Sequence, residues 1–157
     1  MKEYSFKSSK QLKLGCSLLY WWSTINLFLS SLILLSVVTG LANSPLLSMV
    51  FEKEEVEQLS FVTIKALNCL TILYNSYAVA MSIMVWFVVK NALLAKQRWA
   101  FWALAISIAI AEVFAFVASS PLQHTRWQVN MVLSLLYILG MTLSGIALTK
   151  QKTEQSP

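Results

Sequence analysis

Four long stretches of the chain are almost continuously apolar, and short polar segments separate them. The stretches cover about residues 20–41, 67–89, 99–119 and 127–148. Crossing a hydrocarbon core of about 30 Å takes around 20 helical residues, so each stretch is long enough for one membrane-spanning helix. A barrel would need shorter strands in which polar and apolar positions alternate. The pattern therefore predicts an all-α fold.

The connections between the stretches predict how the helices are arranged. "KNALLAKQR" and "SSPLQHTR" are short, and short connections make consecutive helices antiparallel neighbours. We therefore expect an integral membrane four-helix bundle of up-down-up-down topology, with residues 1–157 forming a single transmembrane domain. The longer first connection contains Ser44-Pro45, which is typical of a helix start. Both a short surface helix and an irregular loop fit the residues that follow.

Composition supports the bilayer as the solvent. Hydrophobic residues make up 57% of the 157 residues, charged residues 12%, and the mean hydropathy is +0.65. A soluble domain of this length would carry about twice that charge. The first apolar stretch is too long for the 7–15-residue core of a signal peptide, so we expect an uncleaved first helix.

Basic residues gather at three places that share one side of a membrane crossed four times. Nine of the 12 Lys and Arg residues precede the first stretch, join the second to the third, or follow the fourth. Because cytoplasmic segments carry the excess of Lys and Arg, the N and C termini are both expected to be cytoplasmic. The acidic segment "FEKEEVE" falls on the opposite side. The net charge of +5 therefore reflects orientation in the cell inner (plasma) membrane, and no nucleic-acid partner is expected.

Tryptophans give a second signal for the same orientation. Indole rings collect at membrane–water interfaces. Five of the six tryptophans fall at predicted cytoplasmic ends, and the sixth lies at an outer end. The cytoplasmic five are Trp21, Trp22, Trp86, Trp99 and Trp102.

Glu112 is the residue whose position costs the most free energy. It lies within "AISIAIAEVFAFVASSP", about 10 Å below the outer boundary of its helix. An ionised carboxylate there costs roughly 3 kcal/mol, so it should face the bundle interior and either bind a proton or find a partner. One interpretation is a proton- or cation-responsive site, or a polar anchor for a ligand. The other is a structural role, in which Glu112 ties its helix to its neighbours.

Polar residues on the other helices predict a shared interior seam that is most polar in its outer half. Asn and Ser side chains form hydrogen bonds between membrane helices. Lys65 lies near the outer mouth and has a flexible stem. The candidate ligand-binding or proton-binding residues are Glu112, Lys65, Asn68, Asn75, Asn130, Ser134 and Tyr137.

The residue inventory offers little for catalysis. The chain has one histidine, His124, and no aspartate, so it lacks a Ser-His-Asp triad and a multi-histidine metal site. Cys16 is expected at the cytoplasmic end of the first helix and Cys69 toward the outer end of the second, so the two thiols are too far apart for a disulfide. We therefore expect a protein that is not an enzyme and has no metal and no cofactor.

One segment resembles a known family. Lys96-Gln97-Arg98-Trp99-Ala100-Phe101-Trp102-Ala103-Leu104 is a basic turn leading into a Trp-rich helix, and Asn130 comes early in the last helix. This pattern is similar to that of small bacterial DoxX-like four-helix membrane proteins. The resemblance implies a bacterial inner-membrane protein, in a grouping where some members accompany membrane oxidoreductases.

Two functional hypotheses follow. The first is a non-enzymatic membrane protein that binds a partner protein or a lipophilic small molecule within the bundle, with Glu112 polarising its outer half. The second is a small proton-coupled membrane carrier in which Glu112 titrates and the protein forms a homo-oligomer.

Overall fold

The computed structural model describes residues 2–119 and 127–155. Within these ranges the chain is helical and contains no strand. In chain order the elements are α1 (Lys2–Val38), α2 (Leu47–Val50), α3 (Lys53–Gln58), α4 (Phe61–Val88), a π-helical turn (Val89–Leu93), α5 (Arg98–Ser119) and α6 (Trp127–Gln155). The prediction of an all-α fold is confirmed for this part of the chain.

Three helical segments are long and apolar enough to cross a membrane. They are Lys10–Val38, Phe61–Leu93 and Met131–Lys150. Large apolar side chains cover their outer surfaces, with Phe28 62% exposed and Ile138 53% exposed. A soluble protein would bury most of this surface, whereas acyl chains solvate it. The protein is therefore a helical membrane protein.

Two helices begin well before the predicted apolar stretches, and α1 ends at Val38, before the predicted boundary at 41. α1 begins at Lys2 rather than near residue 20, and α4 begins at Phe61 rather than at 67. The start of α4 is set by Ser60, whose hydroxyl accepts a hydrogen bond from Thr63 N–H at 3.2 Å. Hydropathy marks the apolar portion of a helix, while the cap decides where its backbone begins.

α1 is the central helix of the fold. It packs extensively against both α4 and α6, and α5 packs against α6. Each contacting pair is antiparallel, because residues early in one helix meet residues late in the other: Tyr20 meets Trp86, and Phe101 lies close to Gly145. The first half of α1 and the second half of α6 therefore share one end, which we call the terminal end. The opposite end, which carries residues 39–60, is the loop end.

The apolar core lies mainly toward the terminal end. α1 supplies Leu19 and α6 supplies Met141, both less than a tenth exposed. The π-helical turn brings Val89 and Leu93 into the same cluster. The other members are Leu12, Cys16, Trp22, Val85, Ala92, Ala100, Leu104, Ile108, Leu133, Tyr137, Ala147 and Leu148.

α1 and α6 approach one another most closely at two glycines. A Cβ added to Gly15 would lie 2.7 Å from the carbonyl oxygen of Gly140 and would collide with Ser144 Oγ. A Cβ added to Gly140 would lie 2.9 Å from Leu19 Cγ. The missing side chains let the two backbones come into contact, as in small-residue packing between membrane helices.

The first connection forms two short helices, α2 and α3, where the sequence left a short helix and a loop both open. Ser44 accepts a hydrogen bond from Leu46 N–H at 3.1 Å within the turn that precedes α2. The helix itself begins at Leu47 with Leu46 as its N-cap, so the helix start predicted at Ser44-Pro45 was two residues too early. Glu52 and Glu55 form a reciprocal capping box at the start of α3, in which Glu52 N–H donates to Glu55 Oε2 at 2.9 Å.

The connection from α4 to α5 turns at Lys96. Its backbone is left-handed, with φ 63°, and Gln97 N–H bonds to Ala92 O while Lys96 N–H bonds to Leu93 O. This pair of bonds is the Schellman arrangement that ends helices, usually with glycine at the left-handed position. It allows α5 to begin at Arg98 without a long loop.

The interfacial placement of the tryptophans needs one correction. Trp21 is 61% exposed, as an interfacial anchor would be, but Trp22 is 5% exposed and belongs to the apolar core. Trp86, Trp99 and Trp102 are exposed near the terminal end. Trp22 differs because it lies one residue further around α1 and therefore faces α6, where its ring packs against Tyr137 with centroids 6.2 Å apart.

Candidate functional site

Glu112 lies on the packed side of α5. Ala100, Leu104 and Ile108 follow one another at four-residue spacing and are all buried. Because helical residues four apart share a face, Glu112 continues this row toward the loop end, where it is half-buried. Ala109, three residues before Glu112, is exposed.

The carboxylate of Glu112 is joined to α6 by one short hydrogen bond. Ser134 Oγ donates to Glu112 Oε2 at 2.6 Å. An O–H···O distance of this length lies at the short end of the range for such hydrogen bonds. The candidate residues Glu112 and Ser134 are therefore brought together, across a separation of 22 residues in the chain.

Tyr137 makes a second polar contact between the same two helices. Its hydroxyl donates to the carbonyl oxygen of Ala105 at 2.9 Å, and its side chain is 8% exposed. Ser134 and Tyr137 lie one turn apart on α6, and their partners lie two turns apart on α5. We call these four residues the α5–α6 clamp: Ala105, Glu112, Ser134 and Tyr137.

Asn68 makes its hydrogen bonds to the chain that follows α1. Its Oδ1 accepts from Ser44 N–H at 2.7 Å, and its Nδ2 donates to Asn43 Oδ1 at 3.4 Å. The hydroxyls of Ser44 and Thr71 are also hydrogen-bonded. These residues hold the chain after α1 against α4, and we call Asn43, Ser44, Asn68 and Thr71 the loop clamp.

Asn75 is buried on α4, at 4% exposure, and its amide donates to the carbonyl oxygen of Thr71 at 2.8 Å. Ser82, two turns further on, donates to Ala78 O at 2.8 Å. Both donors are thus satisfied by their own helix. The buried polar row on α4 was predicted correctly, but these donors do not reach Glu112.

Lys65 is exposed near the start of α4. Among the described residues, no ion pair joins it to Glu112, whose hydrogen-bond partner is on α6. α4 packs against α1, while Glu112 belongs to the α5–α6 pair. The structure thus separates two candidates that the sequence placed at one mouth.

One predicted site residue, Asn130, lies in α6 with its side chain outside the described part of the chain. His124 falls between the described ranges.

Trp22 is a residue of the interior that sequence reasoning missed. Its indole Nε1 is buried and has no hydrogen-bond partner among the described residues. The Gly15–Gly140 contact was missed as well. Its signal was present, since Gly140 and Ser144 form a small-xxx-small pair of the kind found at helix–helix contacts.

The described residues include no group of three His, Cys, Asp or Glu side chains that could hold a metal ion. Cys16 is buried and Cys69 is exposed, and both are free thiols. No protein-family model, curated protein or solved structure matches the chain.

Proposed function

We propose that the protein is a small, non-enzymatic integral membrane protein that binds a partner protein or a lipophilic small molecule within a bundle of four spanning helices. The observation that carries this proposal is the hydrogen bond between Ser134 and Glu112. A carboxylate in an apolar helix is expensive, so one that faces the bundle interior and holds a polar partner marks a site by default.

In the proposed bundle, α5 spans the membrane in addition to α1, α4 and α6. Its 22 residues extend about 33 Å, enough to cross the hydrocarbon core. Ile106, Ile110 and Val113 are more than half exposed and suit contact with acyl chains. Glu112 continues the buried row that precedes it, and its carboxyl group binds Ser134 of α6.

The proposed location is the inner membrane of a bacterial cell, with both termini in the cytoplasm. The exposed Lys13, Lys90 and Lys96 lie toward the terminal end, whereas Glu52 and Glu54 lie at the loop end. This distribution agrees with the positive-inside rule. The DoxX-like pattern around Arg98 supports the bacterial assignment.

Orientation is tested by thiol labelling. Because Cys16 is buried and Cys69 is exposed, native thiols are poor reporters, and both are first replaced by serine. In intact spheroplasts, a membrane-impermeant maleimide should label Glu54→Cys, and should label Lys96→Cys only after the membrane is opened. The reverse pattern would place the termini outside the cytoplasm.

A second polar group supports ligand binding inside the bundle. Trp22 Nε1 is a buried donor without a partner among the described residues, and buried polar groups are normally hydrogen-bonded. Its ring packs on Tyr137, one turn from the Ser134 that binds Glu112. An acceptor on a ligand would satisfy the indole, and Glu112 would hold a second polar group of the same molecule.

The decisive variant is Glu112→Gln. Glutamine keeps the size and can still accept from Ser134, but it does not titrate. For a binding protein, we expect the variant to fold in detergent and to co-purify with the same lipid, quinone or protein chain as the wild type. Mass spectrometry of the purified protein measures this. Loss of folded protein on Glu112→Gln would instead assign Glu112 a purely structural role.

The second candidate is a small proton-coupled carrier. It is favoured by the position of Glu112, an ionisable residue that is only half-buried within an apolar helix. In this case Glu112→Gln should fold normally and abolish pH-dependent exchange of the co-purifying ligand in proteoliposomes. Ser107→Gln is the control, because Ser107 lies on the same helix and its hydroxyl bonds to Ala103 O within that helix.

A further inference from the structure

A groove of about 270 Å³ runs between α1 and α4 and is open along one side. Its lining includes Thr24 and Leu27 of α1 and Ile83, Trp86 and Phe87 of α4. Enclosed ligand pockets usually hold about 300–1,000 Å³. A smaller space that opens sideways between membrane helices suits a segment of an acyl chain better than a compact ligand.

Two of the three hydroxyls that line the groove are bonded to their own helices. Ser23 donates to Tyr20 O at 3.0 Å and Ser82 donates to Ala78 O at 2.8 Å, while Thr24, an exposed residue, supplies the third hydroxyl. The remaining lining surface is almost entirely apolar. The groove is therefore compatible with hydrocarbon along its length.

Two lysines lie at the terminal end of this groove. Lys90 Nζ lies 5.3 Å from the ring centroid of Trp86, which lines the groove, so its ammonium stands at the terminal-end mouth. Lys13 is exposed and precedes Tyr20 by seven residues, two turns along the same face of α1. Tyr20 itself contacts Trp86, with ring centroids 5.7 Å apart.

No negative charge opposes these two lysines nearby in the sequence. Residues 4–51 and 58–111 contain no Asp or Glu. Trp86 and Tyr20 are the residue types that lie at the level of lipid headgroups. An apolar groove, an aromatic rim and two lysines follow one another along the helices, in the order of the acyl tail, glycerol region and phosphate of a lipid.

We propose that the α1–α4 groove binds one anionic glycerophospholipid, with an acyl chain between Thr24 and Ile83 and the phosphate held by Lys13 and Lys90. Basic residues at the cytoplasmic side of membrane helices recognise anionic headgroups in this way. The site is separate from the α5–α6 clamp, so it does not depend on the role of Glu112.

The test measures lipid binding to the purified protein in mixed micelles by native mass spectrometry. Wild-type protein should retain phosphatidylglycerol more strongly than phosphatidylcholine. Each lysine near a headgroup contributes about 1 kcal/mol, so Lys13→Gln and Lys90→Gln should each weaken phosphatidylglycerol binding about fivefold. Thr24→Phe, which fills the groove, should reduce retention of phosphatidylglycerol without removing a charge.

Lys65→Gln is the matched control, because Lys65 is an exposed lysine at the opposite end of α4. It should bind phosphatidylglycerol as the wild type does. Equal retention of the two lipids by wild type would overturn the proposal, as would an equal loss on Lys65→Gln. Unchanged phosphatidylglycerol binding by Thr24→Phe would show that the groove does not hold the lipid. Binding of soluble glycerol phosphate as strong as that of phosphatidylglycerol would show the same.

Discussion

The terminal end and the loop end of the molecule are held together by different means. Toward the terminal end, Gly15 and Gly140 bring α1 and α6 into backbone contact beside an apolar core. At the loop end, the buried side chains that the structure describes on α1, α4 and the connection between them are mostly polar and include Ser44, Thr71 and Asn75. The α5–α6 clamp belongs to this more polar half.

The difference follows from the solvent. Lipid tails are as apolar as a leucine side chain, so apolar burial does not drive helices together inside a bilayer. Close packing and hydrogen bonds remain as sources of attraction. The terminal end relies on packing, which requires small residues at the contact, and the loop end relies on hydrogen bonds, which require matched donors and acceptors.

The largest expected effect comes from breaking the packed region. Gly15→Leu would push a side chain into Ser144 and the backbone of Gly140, so we expect a loss of about 3 kcal/mol or more in unfolding free energy. Unfolding from mild detergent into dodecyl sulfate measures it. Gly145→Ala is the control, since its Cβ would meet only the movable ring of Phe101, at 3.0 Å. Equal losses would mean that helix propensity, and not close approach, explains the glycines.

A smaller effect is expected from the hydrogen-bonded region. Ser134→Ala removes the partner of Glu112 and should cost about 1 kcal/mol, within the range measured for bonds between membrane helices. Ser107→Ala removes a hydroxyl that bonds only within α5, at 2.6 Å, and should change stability much less. In a double-mutant cycle, the effect of Ser134→Ala should shrink when Glu112 is already alanine. An additive cycle would rule out a stabilising Ser134–Glu112 contact.

The smallest expected change in stability comes from the residues with left-handed backbone that follow a helix in each region. α1 ends near Gly40, with φ 71°, while the α4–α5 connection places Lys96 at φ 63°. Lys96→Gly should relieve backbone strain and stabilise the protein by about 0.5 kcal/mol. Gly40→Ala should destabilise it by a similar amount through strain alone, because nothing lies within 4 Å of the new Cβ. Thermal unfolding in detergent would show the two shifts, and shifts of the same sign would refute this explanation.

Parts of the candidate site were predictable from the sequence. The inward position of Glu112 followed from the energy of a charge in hydrocarbon, and Ser134 and Tyr137 lay at the depth where partners were needed. Asn68 and Lys65 lay at suitable depths too, but depth does not specify which helices are neighbours. Asn68 instead holds the loop after α1, and Lys65 lies on a helix that packs against α1.

The sequence by itself determined that the chain forms long apolar helices for a bilayer, because backbone groups in hydrocarbon must be satisfied within each segment. It also identified Glu112 as the group that must find a partner. Only the tertiary structure decided that α1 is central, that Trp22 is buried while Trp21 is exposed, and that Ser134 is the residue that meets Glu112. Those outcomes depend on shape and hydrogen-bond geometry between residues far apart in the chain, and hydropathy carries no information about either.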